Sequence, residues 1–149
     1  MSRELFFSWI FQLNVIWSFL AIISTLIVIV NSIYSLIFKS AFKTFDLRIS
    51  LFALIFNHIQ IVIGIILYLI SPKFLWWGKG FNSVFNNDNH RRYLIEHPLI
   101  SLIGVLIITF GWSIHKKSNK SSKKFLRIGL FYLIGFFLLT SKTLWKGYI

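Results

Sequence analysis

The sequence contains no cysteine, only four acidic residues and only two prolines among its 149 residues. The absence of cysteine excludes disulfide bonds, iron–sulfur clusters and thiolate metal sites. All four acidic residues are predicted to lie outside the core of the apolar runs, so no carboxylate pair is available for proton or cation transport inside a membrane. Gly-rich phosphate loops and the His and Glu spacing of helical zinc sites are also missing. No conventional enzyme motif is therefore present.

What the chain has instead is long runs without any charged residue. Three of them cover residues 5–38, 49–72 and 98–114, and a helix that spans a bilayer needs about 20 apolar residues. The fourth run, residues 128–141, is shorter. Lysine and arginine side chains can extend to the headgroups while their methylene stems stay in the apolar layer, which restores a full span between Phe125 and Trp145. The first run is too long for a cleavable signal peptide, whose apolar region is about 7 to 15 residues.

These runs predict the fold class. We expect one all-α domain, a polytopic membrane protein built as an up-down bundle of four transmembrane helices. The predicted helices cover about residues 6–38, 48–71, 94–115 and 125–145.

Basic residues lie at the ends of the apolar runs and give a formal net charge of +12. In this position they favour anionic lipid headgroups as partners, and not nucleic acid. The two loops that join helices 1 and 2 and helices 3 and 4 hold nine basic residues, against seven on the other side, so the positive-inside rule predicts cytoplasmic basic loops and periplasmic termini. The nine are Lys39, Lys43, Arg48, Lys116, Lys117, Lys120, Lys123, Lys124 and Arg127.

Small and polar residues recur at roughly heptad spacing in the first three spans. Lipid gives no reason to place them on one side of a helix, so each set predicts a face that packs closely against another helix. The sets are Asn14, Ser18, Ala21, Thr25, Ser32 and Ser35 in helix 1; Ser50, Ala53, Asn57, Gln60, Gly64 and Ser71 in helix 2; and His97, Ser101, Gly104, Gly111 and His115 in helix 3.

The stretch "ALIFNHIQIVIGI" places His58 between Asn57 and Gln60 in the middle of helix 2. His58 lies about 100° round the helix from Asn57 and therefore off the small-residue face. An unpaired polar group at this depth costs several kcal/mol, so a partner is expected. That partner is either a hydroxyl or carbonyl group of an adjacent helix, or a cofactor or second chain.

Histidines on neighbouring helices of a membrane bundle are candidate axial ligands of haem b. His97 is predicted to lie level with about Tyr68, which leaves His58 about ten residues, or ~15 Å, deeper. His115 misses His58 by a similar distance on the other side, and the only methionine is Met1. A six-coordinate haem is thus not expected within one chain, whereas a five-coordinate haem, or a second ligand from a homodimer, remains open.

A second candidate site is "NHRRYLIEHP" at the start of helix 3. Pro98 is tolerated in a first helical turn, which places Glu96 and His97 near the headgroup level. Together with Arg91, Arg92 and Tyr93 they are suited to a polar head such as a quinone ring, a lipid phosphate or a charged group of a partner. The alternative is a helix terminus in which Glu96 pairs with an arginine while the arginines contact lipid phosphates.

Three segments carry a resemblance to a known family: "LFALIFNHIQIVIGIILYLISPK", "RRYLIEHPLISLIGVLIITFGWS" and "FYLIGFF". From Leu51 to about Phe137 the chain resembles the small four-helix integral membrane proteins of Bacteroidota that are labelled cytochrome b-like. The resemblance implies an inner-membrane bundle with a haem or electron-transfer role, in which His58 and His97 are the candidate cofactor residues.

Two functions are consistent with this sequence. One is an electron-transfer protein that binds haem b or a quinone, with His58, His97, Arg92, Tyr93 and Glu96 as candidate contacts. The other is a non-catalytic accessory subunit without a cofactor. It docks onto a larger membrane complex through its packing faces, the aromatic loop from Phe74 to Phe85 and the basic cytoplasmic loop.

Overall fold

The computed structural model describes residues 2–144 of the chain, with side chains up to residue 141. No strand occurs in this part of the chain. The helices are α1 (Arg3–Ile37), α2 (Thr44–Ile70), a 3₁₀ helix (Pro72–Lys79), α3 (Phe81–Asn86), α4 (Asp88–Arg91), a π-helical turn (Arg92–Glu96), α5 (His97–His115) and α6 (Ser121–Leu144). The predicted end of helix 4 at Trp145 lies outside the described residues.

Four helices are long and apolar enough to cross a membrane: Arg3–Ile37, Thr44–Ile70, Asp88–His115 and Ser121–Ser141. The third includes α4, the π-helical turn and α5, which are continuous along the chain without a break. Its start at Asp88 is six residues before the predicted one. The prediction of an all-helical protein with four spans is confirmed, and by the length and composition of these helices the chain is a multi-pass membrane protein.

The four long helices form a ring in which each contacts two antiparallel neighbours. α1 packs against α2 and α6, α6 packs against α1 and α5, and α2 and α5 close the ring through the least extensive of these contacts. The two short loops at residues 38–43 and 116–120 meet at one end, which we call the basic end. The connection Pro72–Asn86 lies at the other, which we call the aromatic end. The connectivity is up-down, because each long helix is joined to its antiparallel neighbour in sequence.

The predicted small-residue faces are the buried faces of their helices. α1 buries Ala21, Thr25, Ser32 and Ser35, α2 buries Ser50, Ala53 and Asn57, and α5 buries Ser101, Gly104, Gly111 and His115. The larger side chains of the core fill the space between these faces, and Tyr132 of α6 crosses the bundle to donate a 2.8 Å hydrogen bond to the carbonyl of Ser50. Five of the predicted members are only half-buried: Asn14, Ser18, Gln60, Gly64 and His97.

Asp46 is an acidic residue that the sequence-based interpretation placed outside the span. The structure corrects this, because α2 begins at Thr44 and Asp46 lies buried in its first turn. Its carboxylate accepts hydrogen bonds of 2.8 Å from the backbone N–H of Lys43 and from the side-chain amide of Asn31 on α1. The carboxylate therefore caps α2 and joins it to α1, and the helix starts earlier than the charge pattern indicated.

Glycines allow α5 and α6 to approach each other closely. A Cβ atom added to Gly135 would lie 2.9 Å from the carbonyl oxygen of Gly104 and would collide with Ile108, and one added to Gly111 would collide with Phe131. Close backbone approach at small residues is a main source of helix association in lipid. Gly64 on α2 differs, since a Cβ atom there meets nothing within 4 Å.

We expect Gly135→Ala to lower the free energy of unfolding by about 1–3 kcal/mol, because the added methyl group forces α5 and α6 apart. The matched change Gly64→Ala adds the same methyl group in open space, and alanine is favoured over glycine in a helix interior by about 1 kcal/mol. Unfolding in mixed detergent micelles, measured by circular dichroism, compares both. Equal effects of the two variants would show that the glycines do not set the distance between α5 and α6.

Candidate functional site

His58 lies near the middle of α2, in the seam between α2 and α5. Its side chain is exposed, unlike that of Asn57 beside it. The residue that meets it across the seam is Thr109 of α5, whose Oγ1 is 3.4 Å from Nε2 of His58. The seam is open here because the glycines of α5 face α6, so that α5 packs tightly on that side and only lightly on α2.

The hydrogen bonds around the imidazole determine which of its nitrogens carries the proton. Nδ1 of His58 is 2.8 Å from the carbonyl oxygen of Leu54, which can only accept, so Nδ1 donates. The hydroxyl of Thr109 donates its single proton to the carbonyl of Val105 at 2.7 Å and has none left for His58. In a neutral imidazole the second nitrogen is then a bare acceptor. Nε2 of His58 therefore presents a lone pair to the open seam.

The two amides beside His58 have a different role from the imidazole. Nδ2 of Asn57 donates to Oγ1 of Thr25 and to the carbonyl of Ala53, both at 2.8 Å. Nε2 of Gln60 donates to Oδ1 of Asn14 at 2.9 Å. These bonds join α2 to α1 within the membrane, where an amide without a partner is costly. Oε1 of Gln60 is buried without a hydrogen-bond partner in the described part of the chain.

The second candidate site lies at the aromatic end. Glu96 pairs with Arg91, whose Nε is 2.9 Å from Oε1, and the same guanidinium also contacts Asp88 and the carbonyl of Phe85. The predicted pairing of Glu96 with an arginine is confirmed. Contact of the arginines with lipid phosphates stays a prediction, since Arg91 makes these three bonds with three of its five N–H groups and its side chain is 28% exposed.

Tyr93 is held by contacts from the start of the 3₁₀ helix. Its hydroxyl donates to Oγ of Ser71 at 3.2 Å, and Nζ of Lys73 lies 4.4 Å from the centre of its ring. Arg92 and His97 are half-buried nearby along the same helix. Tyr93, Arg92 and His97 thus belong to the start of the third span and do not line a cleft.

Pro98 explains the π-helical turn that precedes α5. A proline has no N–H, so the carbonyl of Leu94, four residues earlier, cannot receive its normal helical hydrogen bond. The N–H of His97 bonds to the carbonyl of Arg92, five residues back. The hydroxyl of Tyr68 donates to the free carbonyl of Leu94 at 3.0 Å and accepts from Nε1 of Trp77 at 2.8 Å. These residues fasten the aromatic loop to the bundle.

The structure does not bring the candidate histidines to one level. His58 faces Thr109, which is 12 residues beyond His97 on α5, so the two histidines differ in depth by about 18 Å. His115 is six residues from Thr109 on the other side, or about 9 Å, and its Nδ1 bonds to the carbonyl of Trp112. The separation of His58 from His97 is close to the predicted one, and the contact of Tyr68 with Leu94 agrees with the predicted register. The prediction of a similar distance for His115 is wrong, because the level of His58 on α5 lies nearer to His115 than to His97.

Thr109, Tyr68 and Trp77 were not identified from the sequence. Nothing in the sequence distinguishes Thr109 from other polar residues on helices, because only the register of α2 against α5 places it beside His58. The sequence did contain a signal for Tyr68, since Pro98 leaves the carbonyl of Leu94 without an N–H partner. Among the described residues there is no group of three or more His, Asp or Glu side chains that could hold a metal ion.

No protein-family model, curated protein or solved structure matches this chain. The resemblance to cytochrome b-like proteins therefore stays a prediction that depends on the short motifs around His58 and His97.

We expect Tyr68→Phe to lower the free energy of unfolding by about 1–3 kcal/mol, because the carbonyl of Leu94 and the indole N–H of Trp77 both lose their partner. Tyr34→Phe is the matched control, since Tyr34 is 58% exposed and makes a ring contact with Phe38. The same unfolding assay measures both. A Tyr68 variant as stable as the Tyr34 variant would mean that water or lipid satisfies the freed groups.

Proposed function

We propose that the chain is a small bacterial inner-membrane protein with an electron-transfer role, which binds a quinone or haem b at His58 in the seam between α2 and α5. The observation that carries this proposal is the bare Nε2 of His58 in an open seam near the middle of the membrane-spanning helices. A polar acceptor is expensive in lipid unless a ligand or partner meets it.

The fixed Nδ1–H supports a ligand at Nε2. In haem and metal sites the ligating histidine commonly donates its other ring N–H to a carbonyl or carboxylate, which sets the tautomer and the ring orientation. The carbonyl of Leu54 has this role for His58. The same arrangement accepts a hydrogen bond from the hydroxyl of a quinol.

A quinone or quinol fits the residues of one chain better than a six-coordinate haem. Haem b supplies a one-electron carrier when it is bound, and it takes its strongest binding from two axial ligands. Across the seam His58 faces Thr109, a hydroxyl and not a second strong ligand. A hydroquinone needs only one acceptor, which Nε2 of His58 supplies where the contact between α2 and α5 is the least extensive of the ring.

In this proposal the positive-inside rule gives the orientation of the bundle in the membrane. The basic end faces the cytoplasm and the aromatic end faces the periplasm, together with both termini. His97, Arg92, Tyr93 and Glu96 at the aromatic end then lie at the periplasmic headgroup level, where they are suited to contact a polar head that enters the seam.

A second function, an accessory subunit of a larger membrane complex, is favoured by the aromatic end itself. Leu75, Phe81 and Phe85 project from the connection with 69%, 62% and 50% of their surface exposed. Exposed apolar side chains in this number on a connecting segment are typical of a surface that contacts a membrane or a protein partner. In this case the protein purifies with stoichiometric partners and without a chromophore.

Quinone binding is tested on the purified protein in nanodiscs of neutral lipid. We expect a reduced short-chain quinol to bind with an affinity that falls about tenfold in His58→Leu, because leucine has no lone pair to accept its hydroxyl. His90→Leu is the control, since His90 stacks on Trp76 at the aromatic end, away from the seam.

A reduced-minus-oxidised visible spectrum of the same preparations tests haem. A b-type spectrum that His58→Leu abolishes assigns haem b to His58. The redox proposal is overturned if the haem-supplemented, folded protein shows neither chromophore nor quinol binding that depends on His58, and the accessory function then stands.

A further inference from the structure

A groove of about 590 Å³ opens at the basic end, between the end of α1 and the start of α6. It is lined by Ser35, Leu36, Lys39, Ser40, Lys120, Ser121 and Ser122. Four of these residues carry hydroxyl groups, two carry ammonium groups, and none is acidic. The volume is about twenty times that of one water molecule in the liquid, ~30 Å³. The groove is on the opposite side of the bundle from the seam at His58, so a ligand bound in it does not depend on the proposed redox function.

The inner wall of the groove contains a serine whose hydroxyl is open to the groove. Ser35 is only 5% exposed as a residue and lines the groove, and its Oγ makes no hydrogen bond to any described residue. Serines in membrane helices often satisfy this group on the carbonyl four residues earlier, as Ser50 and Ser101 do here. The hydroxyl of Ser35 is therefore available to donate its proton to a ligand in the groove.

The outer wall holds a second hydroxyl in a fixed position. Oγ of Ser121 accepts a 2.9 Å hydrogen bond from the backbone N–H of Phe42, in the loop between α1 and α2. The hydroxyl proton of Ser121 is therefore free to donate. Because this bond joins two segments that are 79 residues apart, the position of the hydroxyl is set by the fold and not by a mobile side chain.

Both charged side chains that line the groove are positive. Lys39 comes just after α1 in the left-handed conformation, with φ of 52°, and the N–H of Ser40 bonds to the carbonyl of Ser35 in a Schellman-type helix end. A lysine in this position costs about 1 kcal/mol relative to glycine. Lys120 lies at the start of α6, a helix of 24 residues, whose N-terminal N–H groups and dipole also favour an anion.

The buried carboxylate at this end does not neutralise the lysines. Asp46 lies in the first turn of α2, where its two oxygens accept from Asn31 and from the N–H of Lys43. Lys39 and Lys120 make no ion pair in the described part of the chain, in which the two ion pairs both belong to Arg91.

We propose that this groove binds the phosphate group of an anionic ligand, with Lys39 and Lys120 supplying charge and Ser35 and Ser121 donating hydrogen bonds to phosphate oxygens. Two sources share this chemistry. One is the headgroup of an anionic lipid, since the groove lies where the apolar spans end and lipid phosphates are found. The other is a free phosphate or phosphate ester from the adjacent aqueous phase.

The test measures binding of two probes to the full chain in neutral detergent. Phosphatidic acid is titrated by native mass spectrometry, and labelled inorganic phosphate by equilibrium dialysis. The double variant Lys39→Gln and Lys120→Gln is compared with Lys117→Gln and Lys123→Gln, which removes the same charge from the same end but outside the lining of the groove. We expect the first pair to weaken binding at least about tenfold and the second pair less than about threefold.

Ser35→Ala is a further variant that leaves the charge and the helix intact. It removes only this hydroxyl, and we expect binding to weaken about threefold to tenfold, with an unchanged unfolding midpoint. Dependence of phosphatidic acid binding on the groove residues, with free phosphate inert, assigns a lipid headgroup; the same dependence for inorganic phosphate assigns a free phosphate. Equal weakening by both double variants, or no binding of either probe to the unmodified protein, would overturn the site.

Discussion

The close approach of α5 to α6 is the contact on which the rest of this bundle depends. Three glycines, Gly104, Gly111 and Gly135, lie where these two helices meet. A Cβ atom at Gly111 or Gly135 would collide with the opposite helix, and one at Gly104 would make a tight 3.1 Å contact with the side chain of Leu139. Lipid offers no hydrophobic force between helices, so this packing is a main source of attraction. Because α5 is held against α6, it reaches α2 only lightly, and the ring is tight on one side and open on the other.

Polar side chains of α2 divide between its two neighbours. Towards α1, Asn57 and Gln60 make hydrogen bonds with Thr25 and Asn14 within the membrane. Towards α5, on the open side of the ring, His58 has only a carbonyl of its own helix and a hydroxyl that is already used. Three neighbouring polar positions in one span therefore serve two purposes. The amides hold the bundle together, and the imidazole presents an acceptor to whatever occupies the seam.

Much of the fold could be predicted because the membrane imposes simple rules. Runs without charge identify the four spans, and small residues such as Ser101 and Gly111 mark the buried side of their helix. Helical geometry alone was enough to place His58 outside the packing stripe. The rest needed contacts between distant segments. Thr109 meets His58, and Tyr68 meets Leu94, only once the helices are in register. Asp46 was placed outside its helix because the charge pattern does not show that a carboxylate can cap a helix while buried against Asn31.

The proton position on His58 is the central physical claim about the site. It is measured most directly by ¹⁵N solid-state NMR of histidine-labelled protein in bilayers, with the His58 signals identified by their loss in His58→Gln. We predict a protonated Nδ1 and a bare Nε2 in the unliganded protein at neutral pH. A protonated Nε2 would contradict this, because the seam would then present a donor and not the acceptor that a quinol or a haem iron requires.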